Sequence, residues 1–331
     1  MNHPKANELD YINFLVATPK AYRCLEAGRV QPAGADTPAH DALTRLLHRL
    51  DPDPARLWDE AVQQVQLDAG ILLIDDTTLD KPYARTIELV RRHWSGKHHR
   101  VVHGINLVTL LWSDGDACIP CDYRLYDKPT DGATKNDHFQ AMLTMAHQRG
   151  FAPRLVAFDS WYSSLANLKL IRGLGWDWLT QLKANRHVDP DRTGNRPLEE
   201  VPIAPHGSIV HLTGDGVIKV FRIVTPDGDT EHWATNQLEM SYGEQETWAG
   251  HIWTIEEYHR GLKQFCGVER AQVRAARAQR NHIGLAIRAF LRLEHHRLLT
   301  GTSWFETKMG IIRAAVRAYL AHPRHILAPT A

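Results

Sequence analysis

Three short stretches set carboxylates where they could do chemistry. Residues 70–81, GILLIDDTTLDK, end an apolar run in Asp75 and Asp76 and follow them with Thr77 and Thr78. Residues 155–158 form a second short apolar run, and it too ends in a carboxylate, Asp159. The third stretch, HIWTIEEYHRGLKQ at residues 251–264, carries Glu256, Arg260 and Lys263. At 100° per residue these three fall within about 60° of one another, while Ile255, Tyr258, Leu262 and Phe265 share a separate apolar stripe and Glu257 points elsewhere. Carboxylates from two strand ends and one helix suit two-metal phosphoryl transfer. Mg²⁺ prefers oxygen ligands, and two ions about 3.5 to 4 Å apart stabilise both the attacking and the leaving oxygen. Each piece also has an ordinary structural reading. Asp and Thr turn chains and cap helices, and a Glu–Arg pair four residues apart adds only a few tenths of a kcal/mol to a helix.

The elements that must position these groups are legible in outline. The β-branched content of residues 71–74 and the flanking Gly70 favour a strand buried on both faces, and open α/β sheets bind ligands at strand ends. Further strands are expected at residues 104–112 and 119–126, joined by the turn chemistry of residues 113–116, and at residues 178–182. Helices are expected over residues 136–148, through Phe139, Met142, Leu143 and Ala146, and over residues 160–171. Residues 1–67 read as helical, with a breaker at residues 32–38. One helix there sets Arg45, His48 and Arg49 beside its apolar stripe, which fits either a DNA-contacting helix or a solvated basic face. Residues 184–233, with Pro190, Pro197, Pro202 and Pro205 and β-rich runs at 208–213 and 217–224, look like an all-β insertion. From residue 244 to the end the pattern is helical, including residues 281–299 and 306–321.

With 43% hydrophobic and 23% charged residues among 331, wholesale disorder and a collagen-like fibre are excluded. No stretch approaches the ~20 apolar residues of a membrane helix, and MNHPKANELD lacks the apolar core of a signal peptide, so a soluble, cytoplasmic protein with no membrane partner is expected. Cys24, Cys118, Cys121 and Cys266 fit reduced thiols. The Cys118/Cys121 pair has zinc-like spacing but no second pair to complete it. Net charge is only +1, yet residues 260–297 hold nine basic side chains against Glu269 and Glu294. That local excess fits phosphate-backbone binding, with a solvated helix surface as its bland counterpart.

Taken together, the chain resembles the DDE transposases of bacterial insertion sequences. The resemblance rests on IDDTT at residues 74–78, FDSWY at 158–162 and W-x-I-E-x-x-H-R-x-L-K at 253–263, and it covers roughly residues 40–300. It implies an α/β, RNase H-like mixed sheet flanked by helices. The implied organisation is an N-terminal helical DNA-binding region (1–67), a catalytic core in two parts (68–183 and 234–298) around the β-rich insertion (184–233), and a helical tail (299–331). In this branch the first catalytic Asp precedes a hydroxyl residue, which selects Asp76 over Asp75. Asp76, Asp159 and Glu256 are then the implied catalytic and metal-binding residues, for two Mg²⁺ ions with Mn²⁺ as a substitute.

Lys263, Arg260, Arg270, Arg274, Arg277 and Arg280 are the implied DNA contacts. The family's Y-x2-R-x3-E-x6-K helix is kept at Glu256 and Lys263, but Ala249 and Ile252 stand at its Tyr and Arg positions. In some relatives the insertion supplies a Trp that stacks on a flipped base; Trp233 is a candidate by residue type, and otherwise a core residue. The partners implied are inverted-repeat ends and target DNA, nucleoid association while bound, and a homodimer that pairs two ends. Two other functions fit the same residues: an RNase H-like nuclease or resolvase without strand transfer, and a transposase-derived DNA-binding protein that has lost cleavage.

Overall fold

The computed structural model describes residues 4–32, 34, 37–95, 99–225 and 227–323. The chain opens with helices α1 (Glu8–Ala17), α2 (Cys24–Arg29), α3 (His40–Arg49) and α4 (Ala55–Ala61). Strands β1 (Ile71–Asp80), β2 (Arg91–Ser95), β3 (Arg100–Ser113) and β4 (Ile119–Tyr126) follow, then helices α5 (Lys128–Asp131) and α6 (Lys135–Gln148). Next come β5 (Val156–Phe158), α7 (Leu165–Gly173), β6 (Trp178–Leu182), β7 (His187–Val188), β8 (Arg196–Pro197), β9 (Ser208–Leu212), β10 (Gly216–Val224) and β11 (Thr230–Thr235). Three long helices close the chain: α8 (Tyr242–Phe265), α9 (Ala276–Thr300) and α10 (Trp304–Ala321). Two compact units result, one of residues 54–79 and 91–259 and the other of residues 1–53, 80–90 and 260–331. Residues 324–331 of the expected helical tail, and residues 33, 35 and 36 of the expected breaker, lie outside the described residues.

The first unit is built on a mixed sheet in the order β2-β3-β1-β5-β6-β11-β10-β9, with β4 also paired to β3. Its centre is parallel: Ile74 of β1 is in register with Phe158 of β5, and Phe158 with Thr180 of β6. The four residues Ile71, Leu72, Leu73 and Ile74 are fully buried, as a central strand covered on both faces requires. Gly70 turns the chain into β1 with φ +70, and a Cβ there would lie 2.6 Å from the Ser113 carbonyl oxygen. The neighbouring indole N–H of Trp112 donates to the Ala69 carbonyl at 2.8 Å. Gly70→Ala combines a left-handed backbone with that clash and is expected to cost about 1 to 3 kcal/mol, read as a lowered urea midpoint at unchanged m-value.

Local chemistry explains where the elements depart from the expected pattern. The helix expected from residue 160 starts at Leu165, because Asp159 caps a short 3₁₀ turn over Ser160–Tyr162 by accepting from the Trp161 N–H, and Ser164 then caps α7. Strand β2, RRHWS, was not expected; it pairs antiparallel with β3 at the sheet's edge, where polar side chains are tolerated. Strand β11 pairs antiparallel with β6, so β9, β10 and β11 continue the main sheet. Cys118 and Cys121 are buried, and burial pushes the Cys121 thiol up, the opposite of what a zinc-bound thiolate needs.

The second unit is helical. His282 of α9 is fully buried, and burial, with the charge of Lys81, pushes it down to about 3. The neutral ring donates from Nε2 to the Gly267 carbonyl at 3.1 Å, which leaves Nδ1 to accept from the Tyr11 hydroxyl of α1 at 3.0 Å. Asn281 donates to the carbonyls of Leu47 and Leu50, both at 2.8 Å, closing the C-terminal end of α3. Among the described residues no helix is long and apolar enough to cross a membrane.

Candidate active site

Strand alternation sends the two adjacent carboxylates to different faces. Ile74 and Phe158 are register partners, so Asp75, within β1, and Asp159, just past the end of β5, come next along the two parallel strands. Asp76 turns to the opposite face. Helix α8 covers the Asp75 face, and a cleft of about 330 Å³ opens there, lined by Asp75, Asp159 and Glu256 together with Glu231, Trp233 and Trp253. Glu257 is absent from that lining. Asp75 lines this cleft and Asp76 does not, yet the carboxylate whose charge raises Asp159 is Asp76, so both neighbouring carboxylates of β1 act at this place.

Asp76 is held by a network of its own. Its Oδ2 accepts from Asn106 Nδ2 at 2.6 Å and from Lys135 Nζ at 2.7 Å, and its Oδ1 accepts from the Tyr162 hydroxyl at 2.7 Å. Burial alone would raise this carboxyl, but Lys135 and these hydrogen bonds hold it below the usual carboxylate range. The supports are local and specific. Lys135 opens α6 behind a capping box of Thr134 and Asp137. Tyr162 stacks on Phe139 of α6 with ring centroids 5.1 Å apart, and its carbonyl accepts from Asn167 at 2.8 Å.

Asp75 lives in the opposite electrostatic setting. Burial, then the charges of Asp76, Asp159 and Glu256, push its carboxyl well above the usual range. His259 places its Nδ1 3.8 Å from Oδ2. Crowding of the cleft by the surrounding protein, with the charge of Asp76, likewise pushes Asp159 up to about 6. The carboxylates of Asp75, Asp159 and Glu256, with Glu231 also in the cleft wall, match the donor set for hard divalent cations. Among the described residues no three acidic, His or Cys side chains approach closely enough to hold one ion as they stand, and mutual repulsion of bare carboxylates keeps such groups apart.

The sign of this repulsion gives a testable pH dependence. A carboxyl raised in the folded protein holds its proton more tightly than the unfolded chain, whose Asp titrates near ~3.9. Stability is therefore lost as pH rises from about 4 through the raised values. In the absence of metal, Asp75→Asn is expected to melt a few degrees above the wild type at neutral pH, with the gap closing toward pH ~4. Saturating Mg²⁺ should raise the wild-type melting temperature and leave the variant's unchanged. Differential scanning calorimetry between these limits checks both signs.

The expected DNA contacts fall in several settings. Arg260 and Lys263 lie beyond Glu256 on α8. Arg270 and Arg274 are exposed and Arg280 is half-buried. Arg277 is ion-paired with Asp51, Arg288 with Glu8 and Arg297 with Glu294, so part of the local positive excess is spent within the helical unit. Arg45 pairs with Asp41 at 2.6 Å on α3. Trp233 is 8% exposed, its indole N–H donates to Glu231 at 2.9 Å, and it forms part of the cleft wall. Ala249 and Ile252 line the cleft on the Glu256 helix. The network of Asn106, Lys135 and Tyr162 carried no signal in sequence, because each partner lies 30 or more positions from Asp76.

The profile of the DDE superfamily endonuclease family matches residues 30–202. No curated protein matches. Among solved structures the chain is similar to the piggyBac transposase, seen by cryo-electron microscopy in its synaptic complex with hairpin DNA. The TM-score is 0.51 and the identity 12%, and the match covers 98% of this chain and 76% of that one. A likeness at that identity speaks to the fold.

Proposed function

The chain belongs to the DDE superfamily endonucleases, and from that footing we propose that it is a DNA transposase with Asp75, Asp159 and Glu256 as its cleavage centre. The observation that carries this reading is the gathering of these three carboxylates around one cleft, with Asp75 raised by burial and then by the charges of Asp76, Asp159 and Glu256. Two Mg²⁺ ions, or Mn²⁺ in their place, would supply activation of the attacking oxygen and stabilisation of the leaving one when bound there. Asp75 offers its oxygens from within β1, Asp159 from just past the end of β5, and Glu256 from α8. Asp76, paired with Lys135 and held by Tyr162 and Asn106, fixes β1 at this point and so positions Asp75 beside it.

In this reading the centre first hydrolyses a phosphodiester at an element end and frees a 3′-hydroxyl, which then attacks target DNA. Lys263 and Arg260 on α8, with the exposed Arg270 and Arg274, would contact DNA phosphates. Two copies of the chain would pair two inverted-repeat ends, and in a bacterial cell the complex would sit on the nucleoid. The test is incubation with Mg²⁺ and DNA bearing the terminal repeats that flank the gene. Nicks at the repeat ends followed by joined target products support transposition. Nicks without joining assign a nuclease, and binding without nicks removes the cleavage centre. A weakened, DNA-holding chain is the second reading, favoured by Ala249 and Ile252 in the cleft wall, where the family signature has Tyr and Arg.

A further inference from the structure

We propose that a second pocket, beside the Asp159 turn, holds one unpaired nucleotide of the DNA strand that enters the cleft, its phosphate on Lys183 and Arg186 and its base on Trp161. This rests on the reading of the chain as a DNA endonuclease. The pocket measures about 450 Å³, within the range of small-ligand sites, and its wall begins at Ser160, one residue after Asp159. None of its lining residues is acidic, whereas Lys183, Arg186 and His187 are basic or titratable. Arg186 is half-buried, and its Nη2 is buried with no hydrogen-bond partner among the described residues. Asp215, whose charge acts on Arg186, accepts from Arg172 through Oδ2 at 2.8 Å, and its Oδ1 has no hydrogen-bond partner among the described residues. A buried guanidinium nitrogen left without an acceptor, in a pocket without carboxylates, is matched by an anionic oxygen ligand.

The second half of the recognition is aromatic. Trp161 is 59% exposed, large for an indole, and it lines the same pocket. It is also anchored: its backbone N–H donates to Asp159 Oδ1 at 3.1 Å, and Lys135 Nζ lies 5.8 Å from its ring centroid. An indole fixed next to paired cations fits a nucleotide, whose base offers a π-face and whose phosphate offers the charge. In duplex DNA both faces of a base are covered by its neighbours, so only an unpaired, unstacked base can lie on the ring. The tie from Trp161 to Asp159 sets this platform and the cleft on either side of one turn. A strand crossing that turn presents one nucleotide to the pocket while its neighbouring phosphate reaches the carboxylates.

The experiment uses the full chain without metal and a short single-stranded oligothymidylate carrying one 2-aminopurine, whose fluorescence falls when it stacks on an aromatic ring. Wild type is expected to quench the probe. Trp161→Ala should lose the quenching and bind about tenfold more weakly, Trp161→Phe should keep part of both, and Trp161→Ala should cost nothing on an abasic oligonucleotide. Lys183→Ala, at an exposed position, should weaken the base-bearing and abasic strands alike and flatten the salt dependence. Unchanged quenching in Trp161→Ala, or an equal loss on the abasic strand, overturns the proposal. Mg²⁺-dependent nicking of plasmid DNA by the wild type is measured separately. Nicking with no effect of either substitution on strand binding overturns the pocket alone; quenching without nicking supports the pocket and removes the cleavage centre instead.

Discussion

Asp75→Asn is expected to lower Mg²⁺-dependent strand nicking by at least ~10²-fold while leaving the fold intact, because it removes the ligand charge while the amide oxygen can still accept from the Asp76 backbone N–H. The adjacent substitution should behave differently. Asp76→Asn turns an amide toward Asn106 and Lys135, both donors, and takes the carboxylate from a half-buried lysine. It is expected to cost about 2 kcal/mol of stability, read from chemical denaturation. Its activity should fall less than that of Asp75→Asn, through loosening of β1 beside Asp75. A variant pair in which Asp76→Asn is inactive but stable and Asp75→Asn cleaves normally would reverse the assignment.

The second large effect separates Glu256 from Glu257. Glu256 lines the cleft and Glu257 does not, so Glu256→Gln should lose at least ~10²-fold in single-turnover nicking with Mg²⁺, with melting temperature and DNA affinity nearly unchanged. Glu257→Gln should remain within a few-fold of wild type. If Glu257→Gln were the inactive variant, the rotation of α8 about its axis described above would be wrong, and with it the proposed contacts of Arg260 and Lys263.

How much of this was readable in the residues follows from the range of the interactions involved. The central strand was legible because Ile71, Leu72, Leu73 and Ile74 form an unbroken apolar run behind a glycine, a purely local signal. The helical phase of Glu256 was legible for the same reason, since 3.6-residue periodicity is written into nearby positions. Which face each of Asp75 and Asp76 takes was not. Alternation says that neighbours on a strand face opposite ways, but which face α8 covers depends on packing between distant segments. Strand β2 escaped because RRHWS has neither an apolar run nor clean alternation; edge pairing with β3 forms it. The charge excess over residues 260–297 was countable, yet its use was hidden, because Arg277, Arg288 and Arg297 spend their charge on Asp51, Glu8 and Glu294. Sequence separation also concealed the Asn106–Lys135–Tyr162 cradle around Asp76.

Metal binding by the cleft carboxylates can be measured without knowing the DNA sequence recognised. In an equilibrium titration of the full chain with Mn²⁺, followed by the loss of the free-ion electron paramagnetic resonance signal, wild type should bind the ion and release it to excess Mg²⁺. Asp75→Asn, Asp159→Asn and Glu256→Gln should each weaken binding, on the order of tenfold or more, whereas Asp76→Asn and Glu257→Gln should bind nearly as the wild type does. Binding that survives Asp75→Asn and Glu256→Gln but is lost in Asp76→Asn would contradict the assignment of the cleavage centre.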